Sequence, residues 1–129
     1  LLDQTKGIEG FQNKNIRLLW LTINLVTPTV NDKLKKAYFN ELSQYPSKYN
    51  PFGLRQNAMG YLYQLNTFTS ENLKDLVNGA QHPNHRFRKY SESLLEKLLQ
   101  KEEYRLQYEQ LSGTLNPTEK EFLTKKLEN

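Results

Sequence analysis

Apolar residues recur at helical spacing along almost the whole chain, and only a few residues separate one periodic stretch from the next. No feature constrains the fold more. Ile16, Leu19, Trp20 and Ile23 stand at i, i+3, i+4 and i+7, while Leu18, Leu21 and Leu25 cover a second face. A helix over 13–27 is therefore apolar on two sides and is expected to lie sandwiched between neighbours, with Pro28 as its stop. Leu34, Ala37, Tyr38 and Leu42 predict a second helix over 30–45, closed by Pro46. Leu54, Ala58, Tyr61, Leu62 and Leu65 predict a third over 52–66, where an internal Gly60 suggests close approach of a neighbouring helix.

The remaining helices carry end signals. Thr69 or Ser70 is the cap candidate of a fourth, followed by Glu71 and Asp75 in its first turns and by Leu73, Leu76, Val77 and Ala80 on one face. A fifth opens after Gln81-His82-Pro83-Asn84 and carries Phe87, Leu94, Leu95, Leu98 and Leu99. A sixth over 101–111 turns Tyr104, Tyr108 and Leu111 inward, with Gly113 as its stop. Asn116-Pro117 opens a seventh, a cap residue followed by proline at the first helical position. No segment alternates apolar and polar with β-branched enrichment, and no Asn-Gly or Asp-Gly turn occurs.

Short linkers make consecutive helices antiparallel neighbours, so the first six pair as three αα-hairpins. Arg17, Arg55 and Arg86 each lie near the start of the first helix of a pair, 38 and 31 residues apart. That loose period is close to the roughly 40-residue scale of HEAT-type helix pairs. The expected fold is all-α: a right-handed α-α superhelix of about three stacked antiparallel pairs plus a terminal helix, forming one helical-repeat domain over 1–129. Stacking supplies the core that a single hairpin lacks, and one concave face is left for binding.

Composition narrows the chemistry. A chain of 129 residues has room for one domain with a real core. Zero Cys excludes disulfides, thiolate metal sites and a cysteine nucleophile. No run approaches the ~20 apolar residues of a membrane span, in keeping with a mean hydropathy of −0.81, so no membrane partner is expected. The net charge of +4 permits a nucleic-acid partner but is too small to argue for one. The chain starts at Leu1 without a charged-then-apolar leader, which reads as an excised piece of a longer protein.

Candidate sites are few. His82 and His85 have metal-pair spacing, yet Pro83 puts His82 in a loop and no H-E-x-x-H is present, so loop and cap roles are expected and no metal is assigned. No Walker, G-x-S-x-G or dinucleotide fingerprint occurs, and no nucleophile has a visible base. Arg86, Arg88 and Lys89, interleaved with Phe87 and Tyr90, form the densest basic patch. It reads either as recognition of a carboxylate or phosphate by the arginine fork, or as a solvated face buttressed by Glu71, Asp75 or Glu92. The eight tyrosines read as core side chains with hydroxyls at an edge, or as a cavity wall. Asn13, Asn15 and Asn57 read as caps and repeat-to-repeat hydrogen bonds.

Four stretches carry a family likeness: Gly7-Ile8-Glu9-Gly10-Phe11-Gln12-Asn13-Lys14-Asn15-Ile16-Arg17, Leu54-Arg55-Gln56-Asn57-Ala58, Asn72-Leu73-Lys74-Asp75-Leu76-Val77-Asn78-Gly79 and Arg86-Phe87-Arg88-Lys89. In order, they resemble the C-terminal helical domain of M1-family zinc aminopeptidases, nearest to the Bacteroidetes branch. The resemblance implies a parent hydrolase whose zinc sits in a separate catalytic domain, with no cofactor and no catalytic residue in this chain. It implies the catalytic domain of the same polypeptide as partner, and a peptide substrate enclosed between them. A periplasmic or cell-envelope setting follows from the likeness alone. Basic residues at a helix start engage a substrate carboxylate in one branch of the family, and Arg86 and Arg88 match that pattern in type. The alternative is a free-standing helical-repeat adaptor binding protein or nucleic acid on a basic concave face.

Overall fold

A computed structural model describes residues 11–128. The segment Gly7-Ile8-Glu9-Gly10 that opens the family likeness lies outside the described residues. Seven α-helices follow one another: α1 (Phe11–Val26), α2 (Asp32–Leu42), α3 (Phe52–Leu65), α4 (Ser70–Gly79), α5 (His85–Leu99), α6 (Glu102–Leu111) and α7 (Pro117–Leu127). A 3-10 turn, Ser112–Thr114, joins α6 to α7, and no strand is present among the described residues. The all-α expectation and the number of helices hold.

The ends are set within one turn of sequence. Asn31 accepts from Leu34 N–H at 2.9 Å, which starts α2 two residues later than the apolar spacing suggests. Thr69 is the cap of α4, and its box partner is Asn72 rather than a glutamate, at 3.1 and 3.2 Å. Asn84 caps α5 through Phe87 N–H at 3.0 Å, and Asn116 forms a capping box with Glu119 behind Pro117. Asn66 ends α3 in the left-handed conformation at φ 55°, a geometry that asparagine tolerates. Gly113, by contrast, has no left-handed role. Helix α6 closes through the 3-10 turn, and a Cβ on Gly113 would meet nothing within 4 Å.

The chain divides into two compact units, Leu1–Thr67 and Phe68–Asn129. The division falls between α3 and α4, inside the second of the three expected hairpins.

In the first unit, α1 packs against both α2 and α3. Arg17 grips Glu41 through two hydrogen bonds, Nε to Oε2 at 2.6 Å and Nη2 to Oε1 at 2.5 Å. One turn on, Trp20 meets Tyr38 edge-on at 4.9 Å between ring centres. Numbers rise on α1 as they fall on α2, so the two helices are antiparallel. On the other flank Asn57 of α3 donates to Asn15 of α1 at 2.7 Å, the helix-to-helix role expected of both asparagines. Leu18, Leu21, Leu42, Leu54, Ala58, Met59 and Leu62 are fully buried. So is most of Arg55, 2% exposed, whose Nε donates to the Pro46 carbonyl at 2.7 Å. A buried guanidinium thus closes the turn after α2.

In the second unit α4 packs on α5, α5 on α6, and α7 on α4 and α6. Leu73, Leu76, Val77, Phe87, Leu95, Leu98 and Leu123 are fully buried. Tyr108 is fully buried too, and its hydroxyl donates to Leu73 O of α4 at 3.0 Å. Burial, with Asp75 nearby, pushes its phenol well above the usual range, so it remains a neutral donor. Phe68 meets Tyr104 edge-on at 6.0 Å. The tyrosines of α6 therefore serve the core rather than a cavity wall. A close approach of helices is made at Gly79: a Cβ there would lie 2.5 Å from Ser91 Oγ and 3.1 Å from the Phe87 ring.

Gly79→Ala forces the buried Ser91 hydroxyl and the Phe87 ring to give way, and a loss of about 1–3 kcal/mol in unfolding free energy is expected. Gly113→Ala meets open space and limits only the unfolded chain, so a gain of about 0.4–1 kcal/mol is expected. Thermal or urea denaturation of both variants checks the contrast in sign.

Candidate functional site

The sequence-predicted patch lies on the turn from α4 to α5 and the first turns of α5. Pro83 and the cap Asn84 keep residues 82–84 out of helix, as expected, and His82 sits in that loop. The His82 ring stands edge-on to Phe87, with 5.1 Å between ring centres. Its Nδ1 accepts from Asn84 N–H at 3.0 Å. His85, the first residue of α5, is exposed and holds its Nδ1 at 3.0 Å from Arg88 Nη2. Arginine is always a donor, so that His85 nitrogen accepts. Both Nδ1 atoms are thus occupied by internal donors. Among the described residues, no group of three or more His, Asp and Glu could hold a metal.

The structure separates the two arginines singled out by sequence. Arg88 is half-buried and folded back on the loop: Nη1 donates to His82 O at 3.0 Å and to Pro83 O at 3.2 Å. These carbonyls lie past the last turn of α4, where no helical N–H reaches them. The Arg88 fork therefore ties the end of α4 to the start of α5, a positional role that the pattern Arg-Phe-Arg-Lys did not announce. Arg86 is exposed in the first turn of α5. Phe87 between them points the other way, fully into the core. Lys89 is exposed as well, and Glu92 is its i+3 partner at a loose 3.8 Å.

Beside the loop, Asn78, Gln81, His82, Asn116, Thr118 and Glu119 line an open polar recess of about 220 Å³. Asn78 Nδ2 approaches Glu119 Oε2 there at 3.5 Å, bridging α4 and α7. The lining offers amides, a hydroxyl and one carboxylate, and hydroxyl or amide groups of a ligand suit it better than an apolar body. A second recess, about 310 Å³, is lined by Glu96, Leu99, Gln100, Arg105 and Lys126. Its charges are already paired. Lys126 lies 2.9 Å from Glu92 and 2.7 Å from Glu96, and Arg105 donates to Leu127 O at the end of α7. Sequence spacing could not have found this cluster, because Lys126 is 30 residues from Glu96.

The Lys126 cluster titrates. Its hydrogen bond, against the opposing effect of burial, holds Glu92 below the usual carboxylate range, with Lys89 and Arg88 assisting. Burial works against the charge on Lys126, but the hydrogen bonds to Glu96 and Glu92 outweigh it and raise the lysine. The stability that Glu92 supplies is present above its ordinary pKa and is lost as pH falls through the depressed folded value. That of Lys126 is present below the ordinary lysine pKa and is lost as pH rises through the raised one.

No helix among the described residues is long and apolar enough to cross a membrane. The described residues thus give an all-α chain of packed helices with open polar recesses and exposed cations. No family model matches the chain, and neither a curated protein nor a solved structure matches it.

Two measurements separate the roles assigned to these residues. Arg88→Ala removes the charged donor from two loop carbonyls and is expected to cost about 1–3 kcal/mol, whereas Arg86→Ala, at an exposed site, stays within about 0.5 kcal/mol of the parent; urea midpoints decide. Lys126→Met is expected to flatten the rise in stability between pH 3 and pH 6, since Glu92 then loses the hydrogen bond that does most to hold it low, and its folded and unfolded titrations draw together. An acid limb as steep as that of the unaltered chain would remove the Lys126 assignment.

Proposed function

We propose that this chain is a non-catalytic helical domain of a zinc metallo-aminopeptidase of the M1 family, placed after the catalytic domain and enclosing its substrate chamber. The observation that carries the reading is where the family-like stretches fall. Arg17 grips Glu41, Arg55 is buried under the Pro46 carbonyl, Asn57 bonds Asn15, Asn72 completes a capping box, and Gly79 admits α5. The residues that carry the likeness are thus the ones that hold the helices together, as befits a likeness of scaffold rather than of chemistry. In this reading the reaction belongs to the parent's catalytic domain, where zinc polarises the peptide carbonyl and activates water. This chain contributes walls. Arg86, exposed at the start of α5, is its candidate for meeting a peptide carboxylate, and Arg88 fixes the turn on which Arg86 stands.

A second reading is a helical adaptor, favoured by an asymmetry of charge: the first unit holds eight Lys and Arg against four Asp and Glu, the second ten against ten. If that surface takes a nucleic acid, affinity must fall steeply with salt as counterions are released.

Two results test the first reading. The gene upstream of the Leu1 codon is expected to encode an in-frame H-E-x-x-H with a later glutamate ligand. The isolated chain is expected to leave an alanyl chromogenic substrate intact with or without added zinc. A stop codon directly upstream, or chelator-sensitive hydrolysis by the isolated chain, would overturn it.

A further inference from the structure

Asn78-Gly79 is the one Asn-Gly pair of the chain, and it closes α4 instead of making a turn. The pair has a chemistry of its own. Glycine has no Cβ to shield its nitrogen from the side chain before it, so in an open chain that nitrogen attacks the asparagine Cγ. The N–Cγ bond forms, the Cγ–Nδ2 bond breaks, and ammonia leaves with the Gly79 amide proton. Water then adds to either carbonyl of the cyclic imide. The product is aspartate, or isoaspartate with the main chain running through Cγ. Water is the sole co-reactant, and Asn78, half-buried, lines the open recess of Asn116, Thr118 and Glu119.

The fold holds this reaction back. Ring closure needs the Asn78 ψ turned far from the helical value of about −42°, and the helical pattern gives the Gly79 N–H to a carbonyl four residues back. Both restraints last only while the final turn of α4 stays wound. That turn is fastened by Ala80 N–H on Leu76 O at 2.9 Å and by Gln81 N–H on Asn78 O at 3.1 Å. From outside, Glu119 Oε2 of α7 lies 3.5 Å from Asn78 Nδ2, and Arg88 of α5 holds the His82 and Pro83 carbonyls just beyond. The same neighbours make the products unfit for the site. Aspartate at position 78 sets a carboxylate where an amide donated to Glu119. Isoaspartate adds a main-chain methylene directly before Gly79, where there is so little room that a Cβ would stand 2.5 Å from Ser91 Oγ.

We propose that Asn78 is a self-modifying site: its deamidation is gated by unwinding of the last turn of α4, and the product loosens α5 and α7 from α4. The change runs one way, because ammonia is lost, so each opening that leads to reaction is kept as a negative charge. The inference concerns the second unit alone and does not depend on the parent being a peptidase.

The test incubates the full 129-residue chain in mildly alkaline buffer, with and without denaturing urea. Aspartate and isoaspartate at position 78 are followed by mass-spectrometric peptide mapping. Conversion in urea is expected to be at least tenfold faster than in the folded chain. Gly79→Ala is expected to slow the reaction in urea at least fivefold, as attack by the residue-79 nitrogen requires. Arg88→Ala unfastens the turn, and is expected to raise the folded-state rate at least threefold while leaving the rate in urea unchanged. Met59→Ala makes a cavity in the first unit and is expected to change neither rate. Asn78→Asp stands in for one product; its urea midpoint is expected to fall below that of the parent at neutral pH, and Glu119→Gln to recover most of the difference. Equal rates with and without urea would overturn the proposal, and this comparison decides alone if Arg88→Ala does not fold. So would a rise with Met59→Ala as large as that with Arg88→Ala, since the route would then be global unfolding. An Asn78→Asp chain as stable as the parent, or one that Glu119→Gln fails to rescue, would overturn the effect on α7.

Discussion

A helix of ten to sixteen residues, the range found here, cannot bury its own apolar stripe and is marginal alone in water. Every other feature of the chain answers to that constraint. Leucines at helical spacing need partners, short linkers bring the partners from adjacent sequence, and the core of each unit forms where the stripes meet. Within the first unit α1 is the common partner of α2 and α3; within the second, α4 and α5 together carry most of the buried leucines.

Polar groups then decide how closely the stripes can meet. Where the chain turns out of a helix near the core, the carbonyls of the turn need donors, and two arginines supply them: Arg55 at Pro46, Arg88 at His82 and Pro83. Tyr108 ties α6 to Leu73 O, within α4, through a hydroxyl kept neutral by burial. Arg17, near the start of α1, has another task. It pairs with Glu41 and lies 5.0 Å from the centre of the Trp20 ring, so the α1–α2 seam is polar at one turn and aromatic at the next. Three arginines at similar places in a loose repeat thus occupy three environments: Arg17 paired, Arg55 buried and Arg86 exposed. The period is a property of packing, and it does not transmit a chemical role from one hairpin to the next.

The candidate site was legible only in part. Its location, the loop position of His82 and the opening of α5 after Asn84 followed from Pro83 and the cap. Which arginine faces solvent did not. Residues 86 and 88 are 200° apart on a helix, and nothing local says which of them the end of α4 will claim. The cluster of Lys126 with Glu92 and Glu96 was invisible for a simpler reason: α5 and α7 are distant in sequence, and three solvent-seeking side chains on two helices look like ordinary surface until the helices are side by side. The α1 helix shows the limit from the other direction. Its two apolar faces predicted neighbours on both sides, and among the described residues one of the two is open.

What the amino-acid sequence determined by itself is everything that acts within about one helical turn. That includes the number of helices among the described residues, the caps at Thr69 and Asn116, the opening of α5 after Asn84, the break before Pro28 and the buried stripe of α4, α5 and α6, whereas α2 stopped at Leu42, short of Pro46. What only tertiary structure decided are the features that need two elements at once: the division between α3 and α4, the burial of Arg55, the contact at Gly79 and the open arc of α1. The physical reason is one of range. Hydrogen-bond caps and apolar periodicity act between residues three or four apart. The Arg17–Glu41 and Asn15–Asn57 contacts join residues 24 and 42 apart, and their partners are chosen by the volume and polarity of whatever the folded chain brings alongside.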